Sequence, residues 1–243
     1  MQEVQQDEHY KLLLNLFLSE ETLDVDFTSD SSITNLDEVV EQYPMLKRFV
    51  GHKDKITKPK LIGNGQQGFV FKFKHNERDL CLKLFYEFKG VYDDEEVTSY
   101  ISPFGCESRA FARLCDLHQN GQWAVRCHGW MYLTDSQLQQ LWEVSRPDPR
   151  WHGARWAIVK DFIAEEPPSR EDENFQNVMA KFHIPKCGRI LPRDVKKENY
   201  RGDLIVDLGS TVTFPFYRRY ARWTEHIAFF QDLDTERIPE WDQ

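Results

Sequence analysis

Three glycines are spaced as G-x-G-x-x-G-x-V in the stretch Gly63-Asn64-Gly65-Gln66-Gln67-Gly68-Phe69-Val70. Predicted strands lie on both sides of it, and the second one alternates phenylalanine with valine or lysine, which is the period of a half-buried strand. Glycine lets backbone N–H groups approach phosphate oxygens and tolerates unusual dihedral angles. The stretch therefore predicts a hairpin whose loop binds phosphate, although an ordinary glycine-rich hairpin explains the same pattern taken alone.

A lysine and a glutamate come next along the chain. Lys83 lies in an apolar predicted strand, where it either faces the surface or points inward to bind phosphate, and periodicity does not separate the two. Glu107 lies early in a helix predicted from its Ser-Pro start. A carboxylate there is favoured by the helix dipole. Arg109 and Arg113 on the same helix are expected at the surface or in local ion pairs.

A second group of polar residues lies nearer the C-terminus. Arg193-Asp194 is followed by Asn199, and Asp207 comes directly after a short apolar run. Taken alone, Asp207 also fits an aspartate that caps the end of a strand. The short connection from Asn199 to Asp207 predicts a tight hairpin turn at residues 200–203.

The periodicity between these motifs gives an α+β order of elements. Strands are expected at residues 60–62, 69–74, 80–85, 123–127 and 155–162. An insertion at residues 134–153 separates the last two strands and is expected to contain a helix at 136–142. Residues 8–18 carry apolar side chains three and four apart, which predicts an amphipathic helix in an N-terminal arm.

These motifs, in this order, resemble the protein-kinase-like superfamily from about residue 58 to about residue 213. The resemblance implies a two-lobed kinase-like fold, with a five-stranded antiparallel N-lobe sheet plus one helix and a truncated C-lobe. The implied domains are an N-terminal helical arm at 1–50, the N-lobe and hinge at 51–163, and the C-lobe at 164–243. The implied cofactors are ATP and Mg²⁺.

The resemblance also implies three sets of site residues. The ATP-binding set is Gly63, Gly65, Gly68, Val70, Lys83 and Asp161. The catalytic set is Asp194 as the base, Lys83 paired with Glu107, and Lys196 near the transferred phosphate. The metal-binding set is Asn199 and Asp207.

Three departures from the kinase pattern leave catalysis open. Pro192 replaces the histidine of the usual H-R-D motif. Lys160 falls near the gatekeeper position behind the adenine, where burying an unpaired ammonium is costly. The chain reaches Gln243 soon after Asp207, without an A-P-E motif or room for substrate-docking helices. A phosphotransferase, a non-catalytic pseudokinase scaffold and a small-molecule kinase therefore all remain open.

Four segments resemble a narrower family. They are residues 106–114, 125–129, 157–163 and the compact hairpin 199–207. These segments are similar to a fungal kinase-like family named for the Fta-type subunits of the Sim/Mis kinetochore complex. Membership implies a fungal source and makes a kinetochore scaffold the specific form of the non-catalytic alternative.

Composition limits the partners and the compartment. The 243 residues are 40% hydrophobic and 14% aromatic, which is enough apolar surface for a substantial core. A net charge of −9 argues against non-specific binding to nucleic acid. The five cysteines are scattered, the N-terminus lacks a basic signal-peptide start, and the apolar run 12–18 is too short to span a membrane. We therefore expect an intracellular protein, nuclear or cytoplasmic, that binds a nucleotide and contacts protein partners through its arm or its aromatic C-terminal tail.

Overall fold

The structure is a computed structural model, and it describes residues 2–24, 36–90, 92–145, 148–171, 173–215 and 222–233. The helices in these ranges are α1 (Gln2–Leu16), α2 (Leu36–Glu41), α3 (Glu95–Ile101), α4 (Pro103–Asp116), α5 (Asp135–Trp142), α6 (Glu173–Ala180), α7 (His183–Cys187) and α8 (Trp223–Leu233). The strands are β1 (Leu18–Thr22), β2 (Leu46–Arg48), β3 (Thr57–Asn64), β4 (Gly68–His75), β5 (Arg78–Phe85), β6 (Cys127–Tyr132), β7 (Trp156–Asp161), β8 (Ile190–Leu191), β9 (Tyr200–Arg201), β10 (Leu204–Ile205) and β11 (Val212–Thr213).

A seven-stranded mixed sheet organises the fold, in the order β1-β2-β6-β7-β5-β4-β3. The strands from β6 to β3 in this order pair antiparallel. β1 pairs parallel with β2, and β2 pairs parallel with β6. The α+β class is confirmed, but the sheet has two strands more than the predicted five, because β1 and β2 come from the predicted helical arm. The predicted strand 123–127 overlaps the observed β6 at Cys127 alone.

Both faces of the sheet are covered by apolar side chains. Alternate residues of a strand point to the same face, and Phe69, Phe71 and Phe73 of β4 all join the buried cluster that includes Leu141 and Trp151 of the insertion. The opposite face packs against α1, α3 and α4. An apolar cluster thus lies on each face of the sheet, and β3 at its edge is largely exposed.

Helix α4 begins where the sequence predicts. Pro103 is its first residue, and the Ser102 hydroxyl accepts a hydrogen bond from the backbone N–H of Gly105. Fourteen residues long, α4 presents Ala110, Phe111 and Leu114 to the second core cluster. This packing fixes the side chains on its first two turns against β5 and β7.

Described residues from the first fifty pack into the same core. Phe17 is fully buried and lies in one cluster with Leu46 of β2 and Trp130 of β6. The Tyr10 ring stacks on Trp156 with the centroids 5.5 Å apart, and the indole N–H of Trp130 donates to the backbone oxygen of Ser19 at 2.9 Å. The arm therefore completes the sheet face on which it lies.

Two short antiparallel ribbons follow the large sheet. β9 and β10 form the predicted hairpin, and Gly202 in its turn has a φ of +51°. β8 pairs with β11. Within the predicted aromatic tail, residues 216–221 lie outside the described residues, and α8 covers most of the rest. No helix in the described part of the chain is long and apolar enough to cross a membrane.

Candidate functional site

Lys83 is the centre of a buried polar cluster. Its ammonium nitrogen, Nζ, donates to Glu107 Oε2 at 2.8 Å, to Asp207 Oδ1 at 2.8 Å and to Gln67 Oε1 at 2.9 Å. An ammonium group has three N–H donors, so all of them are used in this arrangement. Lys83 therefore points inward, and the structure brings three of the predicted site residues together.

A second lysine joins the same carboxylate. Lys160 lies opposite Cys81 in the pairing of β7 with β5, two positions from Lys83. Its Nζ donates to Glu107 Oε1 at 2.6 Å and to the backbone oxygen of Val206 at 2.7 Å. The ammonium expected near the gatekeeper position is therefore paired. Below, the charge cluster means Lys83, Glu107, Lys160 and Asp207, whose formal charges sum to zero.

Electrostatics favours the charged forms of Lys83 and Asp207. Burial acts to raise the pKa of Asp207, but the charges of Lys83 and Lys160 and the hydrogen bonds from Lys83 and Gly209 outweigh it and lower the pKa to about 2. Burial acts to lower the pKa of Lys83, but Glu107 and Asp207 outweigh it and raise the pKa. Each group is thus held charged by its oppositely charged neighbours.

The glycine-rich hairpin joins β3 to β4 and contributes Gln67 to the cluster. The Gln67 amide nitrogen donates to Ser210 Oγ at 3.4 Å, and the Gly65 N–H donates to the Gly68 carbonyl at 3.1 Å. A Cβ atom on Gly68 would lie 2.1 Å from the backbone oxygen of Leu84, so this glycine is needed for close packing of β4 on β5. Gln67 was not among the predicted site residues, because it lies 16 positions from Lys83 in the sequence and meets it only in the fold.

The insertion after β6 contacts the same hairpin on the side away from the charge cluster. Arg150 donates to Asn64 Oδ1 at 3.1 Å and to the backbone oxygen of Gly65 at 3.4 Å. Trp151 stacks on Phe69 with their centroids 4.6 Å apart. The hairpin is therefore held by Gln67 on the cluster side and by the insertion on the other. The predicted helix in the insertion is confirmed as α5.

The predicted catalytic and metal residues of the later loop lie together. Asn199 Nδ2 donates to the backbone oxygen of Asp194 at 2.9 Å, and Lys196 Nζ lies 3.2 Å from Asp194 Oδ2. The Val206 N–H donates to the Asn199 backbone oxygen at 2.7 Å, which joins this loop to the residue before Asp207. Among the described residues, the side-chain contacts of Asp194 stay within its own loop.

The remaining predicted ATP-binding residues border the cluster or the sheet end. Val70 of β4 pairs with Lys83 of β5, and Gly63 of β3 pairs with Val70. Asp161 ends β7, and its carboxylate lies 2.6 Å from His128 Nε2. Val70 therefore lies directly beside Lys83 in the strand pairing, and Gly63 lies one strand further away. The Asp161 carboxylate is instead bound by His128 on the neighbouring strand β6.

Arg109 and Arg113 are buried, so the prediction of surface positions was wrong. Arg109 donates to the backbone oxygens of Thr213 and Pro215, both at 2.7 Å. Arg113 donates to the backbone oxygens of Gln42 at 2.6 Å and Phe214 at 2.9 Å. Burial lowers the pKa of Arg113 to about 10. The apolar face of α4 thus carries two arginines that fasten the segment after β11.

Asp207, one of the two residues predicted to bind magnesium, is engaged by groups of the protein. Asp207 Oδ1 accepts from the Lys83 ammonium and from the Gly209 N–H at 2.9 Å, and Lys160 adds a second cation nearby. In the described part of the chain, no group of three or more His, Cys, Asp or Glu side chains is placed to hold a metal ion. An ATP phosphate would likewise have to displace Gln67 to reach Lys83. The hydrogen-bonding groups around Lys83 and Asp207 are therefore already bound by other groups of the protein.

Comparison with known families gives one match. The model described as kinetochore Sim4 complex subunit FTA2 matches residues 32–212, which is most of the chain and includes the charge cluster. A comparison with curated proteins finds no match. The family expected from the resemblance of residues 106–114 and the three other segments is confirmed. This chain belongs to the FTA2 family of kinetochore Sim4 complex subunits.

Proposed function

We propose that the protein is a non-catalytic subunit of a fungal kinetochore complex of the Sim4 type, acting inside the nucleus through protein partners. Family membership supports the complex and the compartment. The observation that carries the non-catalytic part is the saturation of Lys83, whose three donors are taken by Glu107, Asp207 and Gln67. A phosphate oxygen would have to displace one of these three acceptors to reach the ammonium of Lys83.

In this proposal the charge cluster has a structural role. It joins β5, α4 and β7 to the segment that follows β10, because Lys83 binds Asp207 and Lys160 binds the Val206 carbonyl. Glu107 is fully buried between the two lysines. A buried ion pair is costly to break by removing one partner. The kinase-like residues would thus be used to hold the elements in one arrangement, on which partners assemble.

The phosphotransferase alternative keeps one supporting observation. Lys83 and Glu107 form the ion pair that an active kinase requires. The same pair is equally needed for the structural role, so it does not favour catalysis. Lys160 lies beside Asp207 and Glu107. A lysine there has no role in the metal-dependent mechanism, so its presence favours the structural role.

Affinity purification of the full chain from fungal cells tests the subunit role. We expect a stable set of kinetochore proteins to co-purify and the tagged protein to localise to centromeres. Cross-linking within the purified complex then identifies the contact surface. A protein that purifies alone and spreads through the cytoplasm would contradict membership of such a complex.

Nucleotide assays test the non-catalytic part separately. We expect millimolar Mg-ATP to leave the thermal unfolding midpoint of the wild-type protein unchanged, since a ligand that binds the folded state raises it. We also expect no transfer of radiolabelled phosphate. Asp194→Asn is the matched variant, because the side-chain contacts of Asp194 stay within its own loop. Transfer by the wild type that this variant loses would establish catalysis instead.

A further inference from the structure

We propose that Gln67 is an internal occupant of a polyphosphate-binding position, and that this one side chain keeps the position closed. The ligand class is a polyphosphate chain, either free or as part of a nucleoside triphosphate. The inference rests on the proposed function in one respect, namely that the wild-type protein binds no nucleotide there.

The side-chain amide of Gln67 occupies a position formed by Lys83, Ser210 and Gly209. Its amide oxygen accepts from Lys83 Nζ at 2.9 Å, and its amide nitrogen donates to Ser210 Oγ at 3.4 Å. A Cβ atom on Gly209 would lie only 2.0 Å from the Gln67 oxygen. Because Gly209 has no side chain, it leaves the space into which the Gln67 amide fits.

Gln67 is the exchangeable ligand of Lys83. Glu107 is fully buried on α4, and Asp207 is paired with the same ammonium and with the Gly209 N–H. Both are carboxylates, whereas the Gln67 amide is neutral and belongs to the loop between Gly65 and Gly68. The amide oxygen takes one N–H of the ammonium, which is the contact that a phosphate oxygen would make with greater electrostatic gain.

The surroundings suit an anion once the amide has left. The vacated donor of Lys83 and the Ser210 hydroxyl would both point at the same position. A Cβ atom built on Gly65 meets nothing within 4 Å, so there is open space at the tip of the hairpin that carries Gln67. Lys160, on the adjacent strand, adds positive charge that compensates Glu107 and Asp207.

An internal ligand competes at high effective concentration, and a hydrogen bond to a charged group is among the stronger ones. A free polyphosphate must break that bond before it can bind. Removing the amide should therefore raise polyphosphate affinity by about tenfold or more. The gain should depend on Lys83, because that ammonium is the group released.

Titration calorimetry on the full chain tests the inference, with Mg-ATP in one arm and inorganic tripolyphosphate in the other. The variants are Gln67→Ala and Gln67→Ser, which both remove the amide that occupies the position. We expect no binding by wild type, and binding by both variants at least about tenfold tighter than any wild-type signal. Binding of both probes would assign recognition to the phosphate chain, and binding of Mg-ATP alone would add the nucleoside.

Gln66→Ala is the matched control, since Gln66 is an exposed neighbour in the same loop, and it should gain nothing. Adding Lys83→Met to Gln67→Ala should abolish the gain. Folded Gln67→Ala and Gln67→Ser variants that bind neither probe more tightly than wild type would overturn the inference and leave the proposed function standing. Phosphate transfer by the wild type would instead overturn the proposed function.

Discussion

Lys160 Nζ lies 2.6 Å from Glu107 Oε1, so one fully buried carboxylate is shared by lysines from two neighbouring strands. Lys83 takes the other carboxylate oxygen at 2.8 Å. With both oxygens engaged by ammonium groups, Glu107 ties α4 to β5 and to β7. The charge cluster thus connects one helix with the two strands on which it packs.

Replacing Lys160 by methionine should destabilise the fold. The change removes one cation from a buried carboxylate, and breaking a buried ion pair in this way costs about 3–5 kcal/mol. Urea denaturation measures the loss in the free energy of unfolding. Lys60→Met is the matched control on the exposed side of β3 and should stay within about 0.5 kcal/mol of wild type. Equal effects of the two changes would contradict a structural charge cluster.

The Asp207 carboxylate should make stability depend on pH in acid. Its folded-state pKa of about 2 lies below the ordinary value of 3.8, so its contribution is fully present above that value and is lost as the pH falls toward 2. The contribution should stay below about 2 kcal/mol, because a third of the side chain is exposed. The free-energy difference between wild type and Asp207→Asn should therefore be constant near neutral pH and shrink in this window. A difference that does not change with pH would show that the lysines leave Asp207 unperturbed.

Arg109 and Arg113 should hold the same segment of the chain in place. Both donate to backbone oxygens of the segment from Thr213 to Pro215, so the loss of either weakens the same attachment. Each change to alanine should cost about 2 kcal/mol, because each removes hydrogen bonds made by a charged group. In a double-mutant cycle the combined loss should be about 1 kcal/mol smaller than the sum of the single losses. Strict additivity would mean that the arginines hold different parts of the fold.

The N-terminal arm should unfold together with the sheet. Phe17 is fully buried and contacts Tyr100 and Phe104, with ring centroids 6.1 and 6.2 Å away. Phe17→Ala should therefore cost about 3–5 kcal/mol while the chain keeps a single unfolding transition. Tyr43→Ala, at a position 59% exposed in the same arm, should change stability little. A separate early transition in Phe17→Ala would indicate that the arm folds independently.

The sequence predicted the positions of the polar motifs better than the direction of their side chains. The order of the motifs predicted that Lys83, Glu107 and Asp207 belong to one site. In the structure, Lys83 donates hydrogen bonds directly to both carboxylates. Nearly every residue in the second half of β5 is buried, so alternation carries no information on which way Lys83 points. Lys160 presented the same difficulty on β7, where its partner, Glu107, lies 53 positions away.

The strands β1 and β2 were missed for a related reason. β2 has only three residues, and β1 reads Leu-Ser-Glu-Glu-Thr without an alternating apolar face. Both are placed by parallel pairing with distant parts of the chain, which local periodicity does not register. Gln67 escaped notice because its role depends on the space left by Gly209, which only the tertiary structure brings near it.

The added strands also change what the sheet offers to other molecules. β2 covers β6, which would otherwise end a five-stranded sheet with a row of open backbone groups. The outer strands that remain carry charge: Glu20 and Glu21 on β1, and Lys58 and Lys60 around Pro59 on β3. Charged side chains and a proline without an N–H discourage the addition of foreign strands. Strand addition to the seven-stranded sheet, by another protein or by a second copy of this chain, is therefore opposed at both ends.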